Sequence, residues 1–111
     1  MDLNEYQEQA FGSATYPDHH EVGGVIYTAL GLAGEAGEIS NKVKKILRDD
    51  NGVLTEERRV DLVDELGDVL WYAATLADEL GADLDSVARA NLTKLKSRKH
   101  RGVLSGSGDN R

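Results

Sequence analysis

Four carboxylates stand out by type and spacing. Glu35 and Glu38 fall in LGLAGEAGEI, residues 30–39, and Glu65 and Asp68 in VDELGDVL, residues 63–70. Both segments read as helix, where residues three apart lie about 60° from one another and project to one side. Two such helices laid together would gather four carboxylates around one small volume. Like charges so placed repel unless a cation sits among them, and an all-oxygen donor set suits a hard ion such as Mg²⁺, with Mn²⁺ as the second choice. Glu35, Glu38, Glu65 and Asp68 are therefore the candidate metal ligands and the candidate catalytic acids.

A single acidic pair at this spacing is common on a solvated helix face. Here there are two, each closely flanked by apolar residues. Glu35 lies among Leu32, Ala33, Ala36 and Ile39, and Glu65 and Asp68 among Leu62, Leu66 and Val69. Partial burial of these acids without a cation would be costly. Lys42, Lys94 and Arg98 supply fixed positive charge at helix ends, which suits a metal-bound polyphosphate. Asn91 falls within an apolar stripe, so its amide must bond a neighbour or face a polar site. Tyr72 shares a flank with Asp61, Glu65 and Asp68. Trp71 points away from that flank and reads as a second buried surface, either a subunit contact or a base-binding wall. Either ring is a candidate for stacking on a base.

The elements that position these residues are helical. Residues 2–14 form a first helix that Asp2 or Asn4 can cap, with a stripe of Tyr6, Ala10 and Phe11. Residues 15–21 are a connector around Pro17, and His19 and His20 read as solvent-facing loop residues. Val22–Leu47 is a long second helix whose periodicity assigns Val25, Ala29, Leu32, Ala36, Ile39, Val43 and Ile46 to its buried face. Beside that face runs a stripe of Gly31, Glu35, Glu38, Lys42 and Lys45. Glycines at 31, 34 and 37 each cost about 1 kcal/mol against Ala in a helix, which implies close packing or room for a ligand. Asn51-Gly52 marks a turn, and Thr55 caps a third helix running to about Leu80. Its expected core face is Leu62, Leu66, Val69, Leu70, Ala73, Leu76, Ala77 and Leu80. Gly81 ends it, Asp83 caps a fourth helix from Leu84 to about Arg98, and the rest is Gly/Ser-rich.

The formal charge of −7 over 111 residues argues against a nucleic-acid binder, which needs a basic face, although a single nucleotide can still bind through divalent ions. Without Cys there is no disulfide, thiolate metal site or cysteine nucleophile. No apolar run approaches the roughly 18 residues of a membrane span, and the N-terminus has no signal-peptide pattern, so a cytoplasmic location without a membrane partner is expected. One Pro and one Trp in a chain with few β-branched runs point to an all-α fold. Apolar arcs around Trp71 and Ile26 exceed one face, which predicts a homodimer or homotetramer.

The residues also carry a family resemblance. Glu35-x-x-Glu38, then 26 residues, then Glu65-x-x-Asp68 resembles the metal signature of the all-α nucleoside triphosphate pyrophosphohydrolases, and of their MazG-like branch above all. The likeness extends over NEYQ at 4–7, ALGLAGEAGEISNKVKK at 29–45, VDELGDVLWY at 63–72, and Asn91-Leu-Thr-Lys94-Leu-Lys-Ser-Arg98. It implies a four-helix MazG-like bundle over residues 1–100; the tail at 101–111 has too few apolar residues for its own packed element and, with Arg101, Arg111 and SGSG, reads either as disordered or as a flap over the nucleotide. It also implies that the four acids bind Mg²⁺ and that Asn91, Lys94 and Arg98 contact the nucleotide and its phosphates. Gly34 departs from the pattern, since many relatives carry a further Glu there. The expected reaction is cleavage of a nucleoside triphosphate to monophosphate and pyrophosphate. Two alternatives stand beside it: phosphoribosyl-ATP pyrophosphohydrolase, and a non-catalytic acidic helical interaction module.

Overall fold

A computed structural model of the chain describes residues 1–111. It contains four helices and no strand: α1 Leu3–Gly12, α2 Val22–Asp49, α3 Glu56–Glu79 and α4 Leu84–His100. Three starts are capped as the side chains dictate. Asp2 accepts from the Glu5 N–H, Thr55 from Arg58 and Asp83 from Ser86, which satisfies donors the helix leaves unpaired. The turn after α2 places Asn51 and Gly52 at positive φ, 53° and 75°. At the end of α3, Gly81 takes φ 72°, and the Ala82 N–H closes back on the Ala77 carbonyl at 2.8 Å.

The long helices α2 and α3 form an antiparallel hairpin clamped at both ends. At the turn, Arg58 of α3 pairs with Asp50 at 2.8 Å and lies 3.7 Å from Asp49. At the open end, the connector before α2 is tied to Glu79 at the end of α3. α1 packs across the C-terminal half of α3, where Ala10, Ala74, Ala77 and Leu84 make the small core with Tyr6, Trp71 and Ala82 against it. Gln7 is buried there. Its amide donates to the Ala74 and Ala82 carbonyls at 3.2 and 3.0 Å and accepts from the Leu84 N–H at 3.0 Å, joining three helices.

The hydrophobic periodicity places the buried faces only in part. The side of α2 turned to α3 lies between the two expected stripes and carries Gly24, Thr28, Gly31, Glu35 and Lys42, with Leu32, Ile39 and Ile46 beside them. Ala29, Ala36 and Val43 of the expected core are exposed, as are Leu66, Leu70 and Leu80 of α3. Val63, Leu66, Gly67, Val69, Leu70 and Ala73 line an open apolar groove on α3. α4 meets α1 and α3 but does not touch α2. Only 11 of 111 residues are buried, and the radius of gyration is 16.8 Å, against about 13 Å for a compact chain of this size. No helix is long and apolar enough to cross a membrane.

Candidate active site

The hairpin brings three of the four sequence-selected acids together. Glu35 of α2 and Glu65 and Asp68 of α3 place carboxylate oxygens within 4.8 Å of one another. Gly31, one turn before Glu35, sets how closely the helices approach. A Cβ there would run into the Tyr72 ring, so Tyr72 fills the space a side chain would take. Gly34 and Gly37 meet nothing within 4 Å of where a Cβ would lie, so their reason is not packing against this chain. Glu38 is exposed and stands outside the cluster, near enough for its charge to act on Glu35 and Lys42.

Lys42 lies against the acids. Its ammonium is 2.7 Å from Glu65 Oε1, with side-chain exposures of 28% and 15%. That contact holds the Glu65 carboxyl below its ordinary range and the lysine above its own. Glu35 is pushed the other way. Partial burial raises it first, followed by its hydrogen bond to Glu65 and by the charges of Asp68, Glu65 and Glu38. Crowded carboxylates, all-oxygen donors and one half-buried neighbour on each helix fit a hard divalent cation.

The remaining sequence candidates lie elsewhere. Asn91 and Lys94 sit with Val87 and Ala90 on an exposed groove of α4, away from α2. Arg98 is only 5% exposed, and its guanidinium donates to the Asp109 carbonyl at 2.6 Å. Residues 101–111 fold back on the end of α4, and Arg111 donates to the Val103 and Leu104 carbonyls at 3.2 and 3.0 Å. Tyr72 borders the acids through Gly31. The second surface expected for Trp71 is supplied by α1 of the same chain. Its Nε1–H donates to Ser13 Oγ at 3.0 Å, and its ring meets Tyr72 edge-on at 5.0 Å.

Sequence reasoning missed the anchor at the open end. Glu79 is 8% exposed and accepts from Tyr16 Oη at 2.6 Å and from the His20 N–H at 2.5 Å. Gly24 leaves room for this carboxylate. His20 faces solvent as expected, with Nε2 3.0 Å from Asp78, whereas His19 is half-buried between Phe11 and Tyr16. Tyr16 stacks on Tyr27 at 4.8 Å, and Tyr27 leads on to Tyr72. A signal existed, since Glu79 falls on the helical flank of Glu65 and Tyr72. Its partners, more than 55 residues away, left none.

The chain is 55% identical over 114 residues to the Gene 37 protein of Mycobacterium phage L5, with all of both chains covered. It is 36% identical over 72 residues to the uncharacterized protein YvdC of Bacillus subtilis strain 168, covering 60% of this chain and 68% of that one. No solved structure matches. The model of the MazG nucleotide pyrophosphohydrolase domain matches residues 25–103, from the first turn of α2 to just past α4, and so includes both acid-bearing helices. The chain belongs to the MazG nucleotide pyrophosphohydrolase family.

Proposed function

We propose that the protein is a Mg²⁺-dependent nucleoside triphosphate pyrophosphohydrolase, cleaving between the α- and β-phosphates to give monophosphate and pyrophosphate. The observation that carries this reading is the convergence of Glu35, Glu65 and Asp68 from two helices within 4.8 Å, in a chain of this family. Glu38 completes the ligand set, and Mn²⁺ can substitute. A bound divalent ion supplies Lewis-acid polarisation of phosphate oxygens and a water of lowered pKa. Glu35 takes up the proton of the attacking water.

Lys42, Lys94 and Arg98 contact phosphates, Asn91 the nucleotide, and Tyr72 stacks on the base with Trp71 behind it. Arg98 becomes available only when its contact with Asp109 opens. The catalytic domain is residues 1–100, with 101–111 as an appendage. Asn91 and Lys94 lie on a helix that does not touch α2 in its own chain. That separation, together with exposed Ile26, Leu66 and Leu70, supports a homodimer or homotetramer in which α4 serves another copy's acids. The charge of −7 favours no nucleic-acid partner.

The test is a panel of nucleoside triphosphates incubated with Mg²⁺, with pyrophosphate and monophosphate quantified. Asp68→Asn or Glu38→Gln should lower turnover by about two orders of magnitude or more, with the helical spectrum unchanged, as expected when several kcal/mol of charge stabilisation is lost. Near-normal turnover in either variant at saturating Mg²⁺ contradicts the site assignment. Orthophosphate as the sole phosphate product would place the chain in another reaction class. A preference for phosphoribosyl-ATP would select the related enzyme. Binding of neither Mg²⁺ nor a non-hydrolysable nucleotide in calorimetry would leave an interaction module.

A further inference from the structure

The pairing of Lys42 with Glu65 has a consequence for how the acid cluster is loaded. α2 carries lysines at 42, 44 and 45, and only Lys42 makes an ion pair. It follows Glu35 by seven residues and Glu38 by four, so its stem runs along the acid-bearing side of the helix. Its ammonium reaches a carboxylate that is 15% exposed and belongs to the three-acid cluster. An ordinary surface pair would be loose and screened. This one sits where several negative charges concentrate, and two cations cannot share that carboxylate oxygen without strong mutual repulsion.

We propose that Lys42 is the built-in counter-cation of the acid cluster. It neutralises Glu65 while no metal is present, and a divalent ion must displace it in order to bind. The displaced ammonium is then free to turn toward the anionic substrate, so one event both loads the cluster and releases a phosphate-facing arm. This rests on the metal-site reading above and adds the order of events at that site. The lysine therefore lowers metal affinity in return for stabilising the metal-free hairpin, so removing it tightens metal binding instead of weakening it.

The test uses the full chain without nucleotide. Mn²⁺ and Mg²⁺ affinities are measured by calorimetry for the wild type, Lys42→Met, Lys42→Arg and Lys44→Met. Lys42→Met keeps the stem length and should tighten Kd about tenfold, the size of an ordinary coupling between two ligands of one site. Lys44→Met makes the same charge change at an exposed position and should alter Kd by less than about twofold, because its charge is screened. Lys42→Arg should stay near wild type. In wild-type protein carrying ¹³C-labelled lysine, the Lys42 ε-carbon signal should move with the same midpoint as metal uptake.

Equal or weaker metal affinity in Lys42→Met overturns the proposal, as does a Lys42 signal unmoved by metal. If Lys42→Met does not fold, the wild-type titration of the Lys42 signal still decides it. Absence of divalent binding in every protein would instead overturn the metal reading itself, which separates the two failures.

Discussion

Removing the Glu79 carboxylate should loosen the open end of the α2–α3 hairpin. Glu79 is 8% exposed and accepts two hydrogen bonds, from Tyr16 Oη at 2.6 Å and the His20 N–H at 2.5 Å. Hydrogen bonds to a charged group contribute about 1.5–3 kcal/mol each, and a buried partner left unpaired adds its desolvation cost. Tyr16 is buried, but His20 is exposed and water can replace one of the two bonds. The expected loss for Glu79→Ala is therefore about 3–4 kcal/mol. At about 4 °C per kcal/mol for a chain of this length, Tm should fall by about 12–16 °C. Glu79→Gln keeps the shape: its carbonyl can accept from His20 while its amide donates to Tyr16, so about 1–2 kcal/mol should be lost with the charge. Tyr16→Phe leaves one carboxylate oxygen unpaired and should cost about 1.5–3 kcal/mol. Thermal and urea unfolding at one fixed protein concentration read all three. Burial alone would raise the Glu79 carboxyl, but the bonds from Tyr16 and the His20 backbone outweigh it and leave it below the ordinary 4.5. Its contribution is thus present above pH 4.5 and lost as pH falls through the lower folded value, so variants and wild type should converge in acid. A Glu79→Ala protein within about 0.5 kcal/mol of wild type at neutral pH would refute the anchor, since ordinary surface substitutions stay in that range.

Three further outcomes are expected. Because Glu35 is raised above 4.5 in the folded chain, its contribution favours folding at low pH and declines as pH rises through the folded value; metal-free Tm should show this decline, Mg²⁺ should abolish it, and Glu35→Gln should remove it. Leu70→Glu places a charge in the open groove of α3 and should convert the proposed dimer or tetramer to monomer in light scattering, whereas a wild type already monomeric at micromolar concentration would rule out that assembly. Gly31→Ala gains about 1 kcal/mol of helix propensity but forces back the Tyr72 ring, and overpacking of about 1–3 kcal/mol should win, lowering both Tm and metal affinity.

The sequence made local features legible and hid those that depend on distant partners. The caps at Asp2, Thr55 and Asp83 and the stop at Gly81 depend on neighbours a few residues away, and each lies where its type predicts. The two acid pairs were readable for the same reason, and three of their members meet. Periodicity identifies an apolar arc but not what covers it. Leu66 and Leu70 look like core by spacing, yet they stay exposed along the open groove of α3. Trp71 needed Ser13, Glu79 needed Tyr16, and Gly31 needed Tyr72 before their roles could be seen. Helical spacing marks the flanks on which Gly31, Tyr72 and Glu79 lie, but not the partner each one meets.

The fit of the Tyr72 ring over Gly31 also bears on how this chain can change through descent. Position 31 has no room for even one methyl group while a tyrosine stands at 72, and Glu35 lies only one turn farther along the same helix. A side chain gained at 31 alone would push the acid-bearing helices apart, and a smaller residue at 72 alone would leave a void between them. A methyl at 31 is admissible only beside a smaller residue at 72, so the two sites are expected to vary together across a lineage. In laboratory evolution, paired libraries at 31 and 72 would then tune the gap between Glu35 and Glu65 in small steps, and with it the size of cation the cluster admits.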